Sequence, residues 1–202
     1  ALTDDPGVEA ILRQIDRMDL YLNELMGLAP GDRLADRPLS LAPARVSDLA
    51  ESVLLILGGR LQHAGIEVRK EYPSDEPVVE ADADQIRQAM MNLLVNAAEA
   101  SEAGGTISLS VERRGGRVRF SVRDAGPGVT SGELDVFAAF ASSKPNGVGL
   151  GLYICKRILD RHGGEIGYES SDKGATFWFD IPTAPGAAAS DSGASGGGEP
   201  RE

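Results

Sequence analysis

Three polar side chains recur at helical spacing within one apolar stretch of the sequence. Asn92, Asn96 and Glu99 are separated by four and three residues, so a helix would carry them on one face beside its apolar stripe. An amide oxygen suits a hard cation such as Mg²⁺, which prefers phosphate oxygens and water to an all-protein cage. The pattern indicates a metal and phosphate site, and a solvated helix face is the alternative.

A second group of candidate residues lies in the segment VRDAGPGV. Asp124 stands at the end of a candidate strand, ahead of Gly126 and Gly128. A carboxylate there can accept a hydrogen bond from an amino group, and glycines let a flat ring lie against the main chain. This combination suits adenine, although a turn with an Asx cap would use the same residues without a ligand.

A third group is the set of alternate glycines Gly147, Gly149 and Gly151, directly before an amphipathic segment. The first turn of a helix presents unpaired N–H groups and the positive end of its dipole, which attract phosphate. The glycines would let phosphate approach the main chain, and an ordinary glycine-rich loop is the alternative.

Hydrophobic periodicity supplies the elements that must position these residues. It predicts helices over Ser47–Gln62, from an Asp82 cap to about Ser101, and over Leu150–Arg161. It predicts strands over Ile66–Arg69, Thr106–Val111, Val118–Val122, Ile166–Tyr168 and Thr176–Ile181. Strands interleaved with helices, including one hairpin, favour an α/β two-layer sandwich with a mixed sheet covered on one face by helices.

The two ends of the chain differ from this central region. Apolar residues from Val8 to Leu25 recur at spacings of three and four, which is typical of a coiled-coil or bundle helix, and packing on its own domain is the alternative. The last residues, 184–202, contain almost no large apolar side chain and are expected to be disordered. The absence of an initial Met and of a signal peptide suggests a piece of a longer protein.

Composition excludes several classes of function. The net charge of −11 argues against a surface that tracks nucleic-acid phosphates. No apolar run reaches the roughly 20 residues of a membrane span, so we expect no membrane contact by this fragment. Cys155 is the single cysteine, which rules out an intrachain disulfide, and we interpret it as a buried thiol rather than a reactive one.

Five segments in a fixed order resemble the five boxes of sensor histidine kinase catalytic domains. They are NLLVNAAEA (92–100), DAGPG (124–128), FAAFASSK (137–144), GVGLGL (147–152) and GATFWFDIP (174–182). These domains belong to the ATPase superfamily that includes gyrase, MutL and heat-shock chaperone ATPases. The resemblance implies a Bergerat-type ATP-binding fold with a mobile ATP lid between Val129 and Asn146.

The resemblance also implies a division of the chain into regions. Residues 1–30 would be the end of the second dimerisation helix and 31–38 a linker. Residues 39–183 would be the catalytic ATP-binding domain, followed by the tail. The cofactors would be ATP and Mg²⁺.

The resemblance also assigns roles to individual residues, according to their positions within the five segments. The implied ATP-binding set is Asn92, Asn96, Glu99, Asp124, Gly126, Gly128, Phe140, Lys144, Gly147, Gly149, Leu150, Gly151, Leu152 and Thr176, with Phe137 also in the lid. Asn96 would bind Mg²⁺, and Asn92 and Lys144 would act in catalysis on the phosphate side. Asp124 would bind the adenine amino group, with Thr176 completing water-linked contacts. Glu99 is equally well explained as a solvated carboxylate.

Three functions remain open on these residues. Hydrolytic relatives carry a glutamate as general base where this chain has Asn92, and an amide cannot take a proton, so phosphotransfer is favoured over hydrolysis. The acceptor histidine is missing, because His63 and His162 read as surface, packing or capping residues. A binding module without phosphotransfer and a gyrase-type hydrolase are the alternatives.

For a kinase, the resemblance implies two partners: a histidine-bearing dimerisation domain of the same, longer parent protein, and a response regulator receiver domain. The parent protein would be a homodimer. The expected location is cytoplasmic, with membrane anchoring of the parent left open.

Overall fold

The computed structural model describes residues 38–129, 135–142 and 148–184. The helices of these ranges are α1 (Val46–His63), α2 (Ala83–Ala100) and α3 (Gly151–Arg161). Their strands are β1 (Ala42–Ala44), β2 (Glu67–Glu71), β3 (Val79–Ala81), β4 (Thr106–Arg114), β5 (Arg117–Arg123), β6 (Glu165–Ser171) and β7 (Gly174–Pro182). No helix in these ranges combines the length and apolar character that a membrane span requires.

The main sheet has five strands in the order β2-β4-β5-β7-β6. The β2–β4 pair is parallel, and the other three pairs are antiparallel. Strands β1 and β3 form a separate antiparallel pair, and a bridge from Val79 to Thr183 ties it to the chain just after β7. The mixed sheet, the β4–β5 hairpin and the α/β class predicted from sequence are confirmed.

Strand alternation separates a core face from an open face. Along β5, Val118, Phe120 and Val122 are buried in the core beneath the helices. Arg119 lies between them on the opposite face, where its guanidinium donates to both carboxylate oxygens of Asp180 at 2.7 and 2.6 Å. The helices therefore cover one face of the sheet, as predicted.

The helix ends explain why the helices begin where they do. Asp82 caps α2 by accepting the N–H of Gln85 on Oδ1 at 3.3 Å, which confirms the predicted cap. The first turn of α1 is instead capped from a distant loop, because Ser47 donates its N–H to Glu76 at 3.1 Å. His162 occupies the C-cap of α3, in agreement with the capping role expected for it.

The structure also contains elements that the sequence did not predict. Strands β1 and β3 have three residues each, which is too short for an alternating pattern to be recognised. Strand β2 begins at Glu67 rather than Ile66 and continues to Glu71. The expected N-terminal helix and the expected disordered tail after 184 lie outside the described residues, so both stay predictions.

Candidate nucleotide site

Asp124 is held rigidly by the main chain around it. It follows β5 and continues the inward alternation of Phe120 and Val122, and only 3% of its surface is exposed. Its Oδ1 accepts the N–H groups of Gly126 at 2.9 Å and of Ala175 at 3.2 Å. Within the described residues, Oδ2 makes no hydrogen bond, so this second oxygen is the one that can accept from a bound amino group.

Gly126 and Gly128 bring the Asp124 loop against two other segments. A Cβ at Gly126 would overlap the carbonyl oxygen of Ala100, the last residue of α2. Gly128 has φ +74°, and a Cβ there would overlap the carbonyl oxygen of Ser171 at the end of β6. Close main-chain packing therefore requires both glycines, a reason that the sequence interpretation missed because neither partner is near in sequence.

Asn92 fixes the start of α3 against α2. Its Nδ2 donates to the carbonyl oxygen of Gly151 at 3.1 Å. The buried Cys155 thiol also contacts Asn92 and donates to the carbonyl of Ala89 at 3.5 Å. Burial raises the pKa of the Cys155 thiol to about 12, so the thiol stays protonated at neutral pH, as expected for a structural cysteine.

Asn92, Asn96 and Glu99 form the polar ridge of α2, and the surroundings of Asn96 and Glu99 differ. Asn96 is half-buried, one turn along α2 from Asn92. Glu99 lies 3.6 Å from the guanidinium of Arg60 on α1, with 34% of its side chain exposed. An ion pair at this exposure contributes at most about 1 kcal/mol. Its pairing with α1 gives Glu99 a structural role, and its expected place in the ATP site stays a prediction.

Among the described residues, no hydrogen-bond partner is recorded for the first main-chain N–H groups of α3. Its N-cap residue, Leu150, is fully buried and carries no side-chain cap, and the first turn contains no acidic residue. Carboxylates cap the first turns of α1 and α2. The first turn of α3, which includes Gly151 and Leu152, is thus suited to an external anion.

Residues 135–142 cross the start of α3. Gly149 has φ +74°, and a Cβ there would lie 2.6 Å from the carbonyl carbon of Phe140 and 2.7 Å from the carbonyl oxygen of Ala141. Phe140 itself has φ +65° and is 68% exposed, a strained conformation for an aromatic residue. The ring of Phe137 packs edge-on against Tyr168 of β6, with centroids 6.1 Å apart, and anchors this segment.

These contacts bring segments that are distant in sequence together around one end of the helical layer. The Asp124 loop packs on the end of α2, α2 bonds to the first residue of α3, and residues 135–142 pack on Gly149. A buried acceptor, two amides and a helix N-terminus match the amino group, the metal ion and the phosphates of Mg-ATP in their chemistry. The residues present therefore fit that ligand.

Comparison with known proteins agrees with this arrangement. Residues 81–185, more than half of the chain, match the profile of a family described as Histidine kinase-, DNA gyrase B-, and HSP90-like ATPase. The chain belongs to this family. The match includes α2, the Asp124 loop, α3 and β7, which are the elements that form the site.

Individual members of the histidine kinase branch are similar to this chain. The adaptive-response sensory kinase SasA of Synechococcus sp. (strain JA-2-3B'a(2-13)) is 33% identical over 84% of this chain and 47% of its own length. Full-length ShkA in complex with AMPPNP is 34% identical, with a TM-score of 0.73 over 90% of this chain and 40% of ShkA. ThkA in complex with the response regulator protein TrrA is 28% identical, with a TM-score of 0.71 over 90% of this chain and 53% of that chain. The chain spans about half the length of the curated relatives it matches.

Thr176, which we expected in the nucleotide site, lies on the open face of the sheet. Thr176 pairs with Arg123 and Glu169 in the sheet and lines a 440 Å³ concavity on the open face, away from the helices. Ala175 takes the inward position and donates its N–H to Asp124. The expected adenine contact of Thr176 is therefore withdrawn, because neighbouring strand residues point to opposite faces.

The ATP contacts expected of the remaining site residues stay predictions, and two of these residues fall outside the described ranges. Asn92, Asn96, Gly149 and the first turn of α3 lie at the helical end described above. Lys144 and Gly147 lie outside the described residues, so their expected phosphate contacts stay predictions.

Proposed function

We propose that this chain is the ATP-binding catalytic domain of a sensor histidine kinase. It binds Mg-ATP and transfers the γ-phosphoryl group to a histidine on a dimerisation helix, for relay to an aspartate of a response regulator. The observation that carries this proposal is the convergence of the Asp124 carboxylate, the amide ridge of α2 and the uncapped start of α3 in a chain of this family.

Each part of the proposed site has a separate task. Asp124 Oδ2 accepts from the adenine amino group, and the first-turn N–H groups of α3 bind phosphate oxygens. Asn96 would hold the Mg²⁺ ion, which would supply positive charge to neutralise the phosphates. Asn92 keeps α3 at a fixed distance from this ridge through its bond to Gly151. Lys144 contributes a cation to the phosphates.

Phosphotransfer fits these groups better than hydrolysis does. In the transfer, the bond between the γ-phosphorus and the β–γ bridging oxygen breaks, a bond to the acceptor imidazole nitrogen forms, and ADP leaves. A neutral imidazole is already nucleophilic, so the reaction needs positioning and charge neutralisation more than a base. Asn92 stands where a hydrolase of this superfamily would need a general base, and its amide donates to Gly151.

The proposal extends to the parent protein. The similar kinase ThkA forms a complex with the response regulator protein TrrA, which supports a receiver domain as the partner of this chain. The ShkA complex with AMPPNP supports an adenine nucleotide as its ligand. We place the fragment in the cytoplasm and the parent in a homodimer built through its dimerisation helices.

A mixing experiment tests the proposed transfer. The chain is combined with a separate helical hairpin that bears the acceptor histidine, together with Mg²⁺ and ATP labelled on its γ-phosphate. We expect label on the hairpin, and none on a hairpin whose acceptor histidine is replaced by glutamine. Folded, ATP-bound chain that transfers no label would favour a nucleotide-binding module, and rapid phosphate release by the chain alone would favour a hydrolase.

A further inference from the structure

A buried polar cluster lies at the opposite end of α3 from the nucleotide site. It joins the C-cap of α3 to the N-cap of α2 through His162, Asp82, Gln85 and Arg161. Asp82 is 3% exposed, Gln85 6% and His162 9%. The proposed kinase mechanism makes no use of these groups.

The hydrogen bonds of His162 define its tautomer. Its Nδ1 lies 2.7 Å from the carbonyl oxygen of Ile158, which can only accept, so Nδ1 carries the hydrogen. Its Nε2 lies 3.1 Å from the main-chain nitrogen of Asp82, whose N–H can only donate. The ring is therefore neutral, and protonation at Nε2 would turn this hydrogen bond into a contact between two donors.

Asp82 also bonds to the residues just before β1. Its Oδ2 accepts the N–H of Ser40 at 3.1 Å and the side-chain amide of Gln85 at 3.2 Å. Ser40 stands two residues before β1, a three-residue strand that pairs with β3 next to Asp82. These contacts hold the first described strand to the start of α2.

The charges around the ring act in opposite directions. Burial is the main cause that lowers the pKa of His162 below its usual range, and Arg161 acts in the same direction. The carboxylate of Asp82 raises it, as does the hydrogen bond to Ile158. Arg161 also donates to Gln85 Oε1 at 3.1 Å, so the cation is part of the same network.

We propose that His162 is a pH-sensitive positioning residue that holds the N-terminal strand to the ATP-binding body. The neutral ring accepts from Asp82 and keeps its carboxylate aligned with Ser40. When a proton from solvent occupies Nε2, the Asp82 N–H loses its acceptor, and the start of α2 and strand β1 loosen together. The proposed contact controls how firmly Ser40 and β1 are held to the start of α2, and it does not depend on bound nucleotide.

The test uses nuclear magnetic resonance on the complete chain, whose sequence contains two histidines. Ring nitrogen shifts of His162 and amide exchange are followed from about pH 7.5 to about pH 5, a range in which histidine titrates. Exchange rates are corrected for their intrinsic pH dependence. The Ser40 and Asp82 amides report on the attachment, and the Gly126 amide in the nucleotide loop is the internal control.

Two variants separate His162 from other groups. His162→Gln keeps an oxygen that can accept from Asp82 and does not titrate. His63→Gln removes the exposed histidine at the end of α1 and leaves His162 as the remaining histidine. This second variant keeps the test valid if His162→Gln does not fold.

We expect His162 to be neutral with hydrogen on Nδ1 at the higher pH and to take up a second proton only at a lower pH than an ordinary histidine does, because its pKa is lowered. Protection of Ser40 and Asp82 should then fall about five- to thirty-fold, as for the loss of one hydrogen bond, in both the wild type and His63→Gln. Protection of Gly126 should stay constant, and His162→Gln should show no pH dependence. A ring that stays neutral throughout, or equal protection of Ser40 and Asp82 at both pH values while the ring titrates, would overturn the proposal.

Discussion

At the scale of single residues, the site depends on how each side chain divides its hydrogen bonds. Asp124 uses Oδ1 for the N–H groups of Gly126 and Ala175, and Oδ2 is the oxygen that we propose accepts from adenine. Asn92 uses Nδ2 to hold the carbonyl of Gly151, so part of its role is to position α3.

The ridge of α2 gives a prediction at this scale. Asn96→Ala should weaken binding of Mg-ATP about tenfold or more and change metal-free binding far less, because it removes the proposed metal ligand. Glu99→Gln should change either affinity less than about twofold, because the carboxylate pairs with Arg60 on α1 at the surface. Titration calorimetry with and without Mg²⁺ measures both.

Equal losses in these two variants would contradict the separation of Asn96 from Glu99. Unchanged binding in Asn96→Ala would remove Asn96 from the metal site. Circular dichroism of each variant checks that α2 remains intact.

At the scale of elements, the contact between residues 135–142 and the start of α3 can be isolated with a matched pair of substitutions. Gly149 and Gly163 both have positive φ, +74° and +62°, so alanine is strained at either position. A Cβ at Gly149 meets the main chain of Phe140 at 2.6 Å, whereas one at Gly163 finds its nearest atom, on Pro182, at 3.9 Å.

Gly149→Ala should therefore weaken nucleotide binding about tenfold or more as well as reduce stability, because the crossing segment must move. Gly163→Ala should lower the free energy of unfolding by about 1–2 kcal/mol and leave affinity unchanged. Urea unfolding and calorimetry compare the two. If both variants keep wild-type affinity, the contact at Gly149 has no part in the site.

Some helices and strands could be predicted from the sequence, and some of their contacts could not. Helices α1 to α3 and the β4–β5 hairpin were predictable because their apolar periodicity is strong, and the Asp82 cap was predictable from local chemistry. The face on which Thr176 lies could not be predicted, because a shift of one residue in a strand reverses the face and the sequence motif does not fix that register. The packing reasons for Gly126 and Gly128 depend on Ala100 and Ser171, which are distant in sequence.

At the scale of the whole molecule, the two faces of the sheet have different roles. The helix-covered face carries the candidate site. The open face carries the ion pair of Arg119 with Asp180, and the guanidinium carbon of Arg119 lies 3.6 Å from the centre of the Trp178 ring. The His162 cluster lies at the other end of the helical layer from the site and links α2, α3 and the N-terminal strand. The attachment of β1 and the candidate nucleotide site thus lie at opposite ends of the helical layer.

The His162 cluster also predicts how global stability depends on pH. The pKa of His162 is lowered in the folded state, so the unfolded chain binds the proton more readily. The contribution of the neutral ring is fully present above the unfolded pKa of about 6.5 and is lost as pH falls through the lower folded value. Urea unfolding should therefore show stability falling on acidification below about pH 6.5 in the wild type and less so in His162→Gln. Parallel pH curves would contradict this account.

The central claim is that Asp124 selects adenine in a site that binds Mg-ATP. Titration calorimetry with Mg-ATP and Mg-GTP on the wild type and Asp124→Asn tests it most directly, because asparagine keeps Oδ1 for Gly126 and Ala175 and replaces Oδ2 by an amino group. We predict that the wild type binds ATP in preference to GTP, and that Asp124→Asn loses about tenfold or more in ATP affinity while its GTP affinity does not fall. Folded wild-type protein that gives no heat with Mg-ATP, or an Asp124→Asn variant with unchanged ATP preference, would contradict the claim.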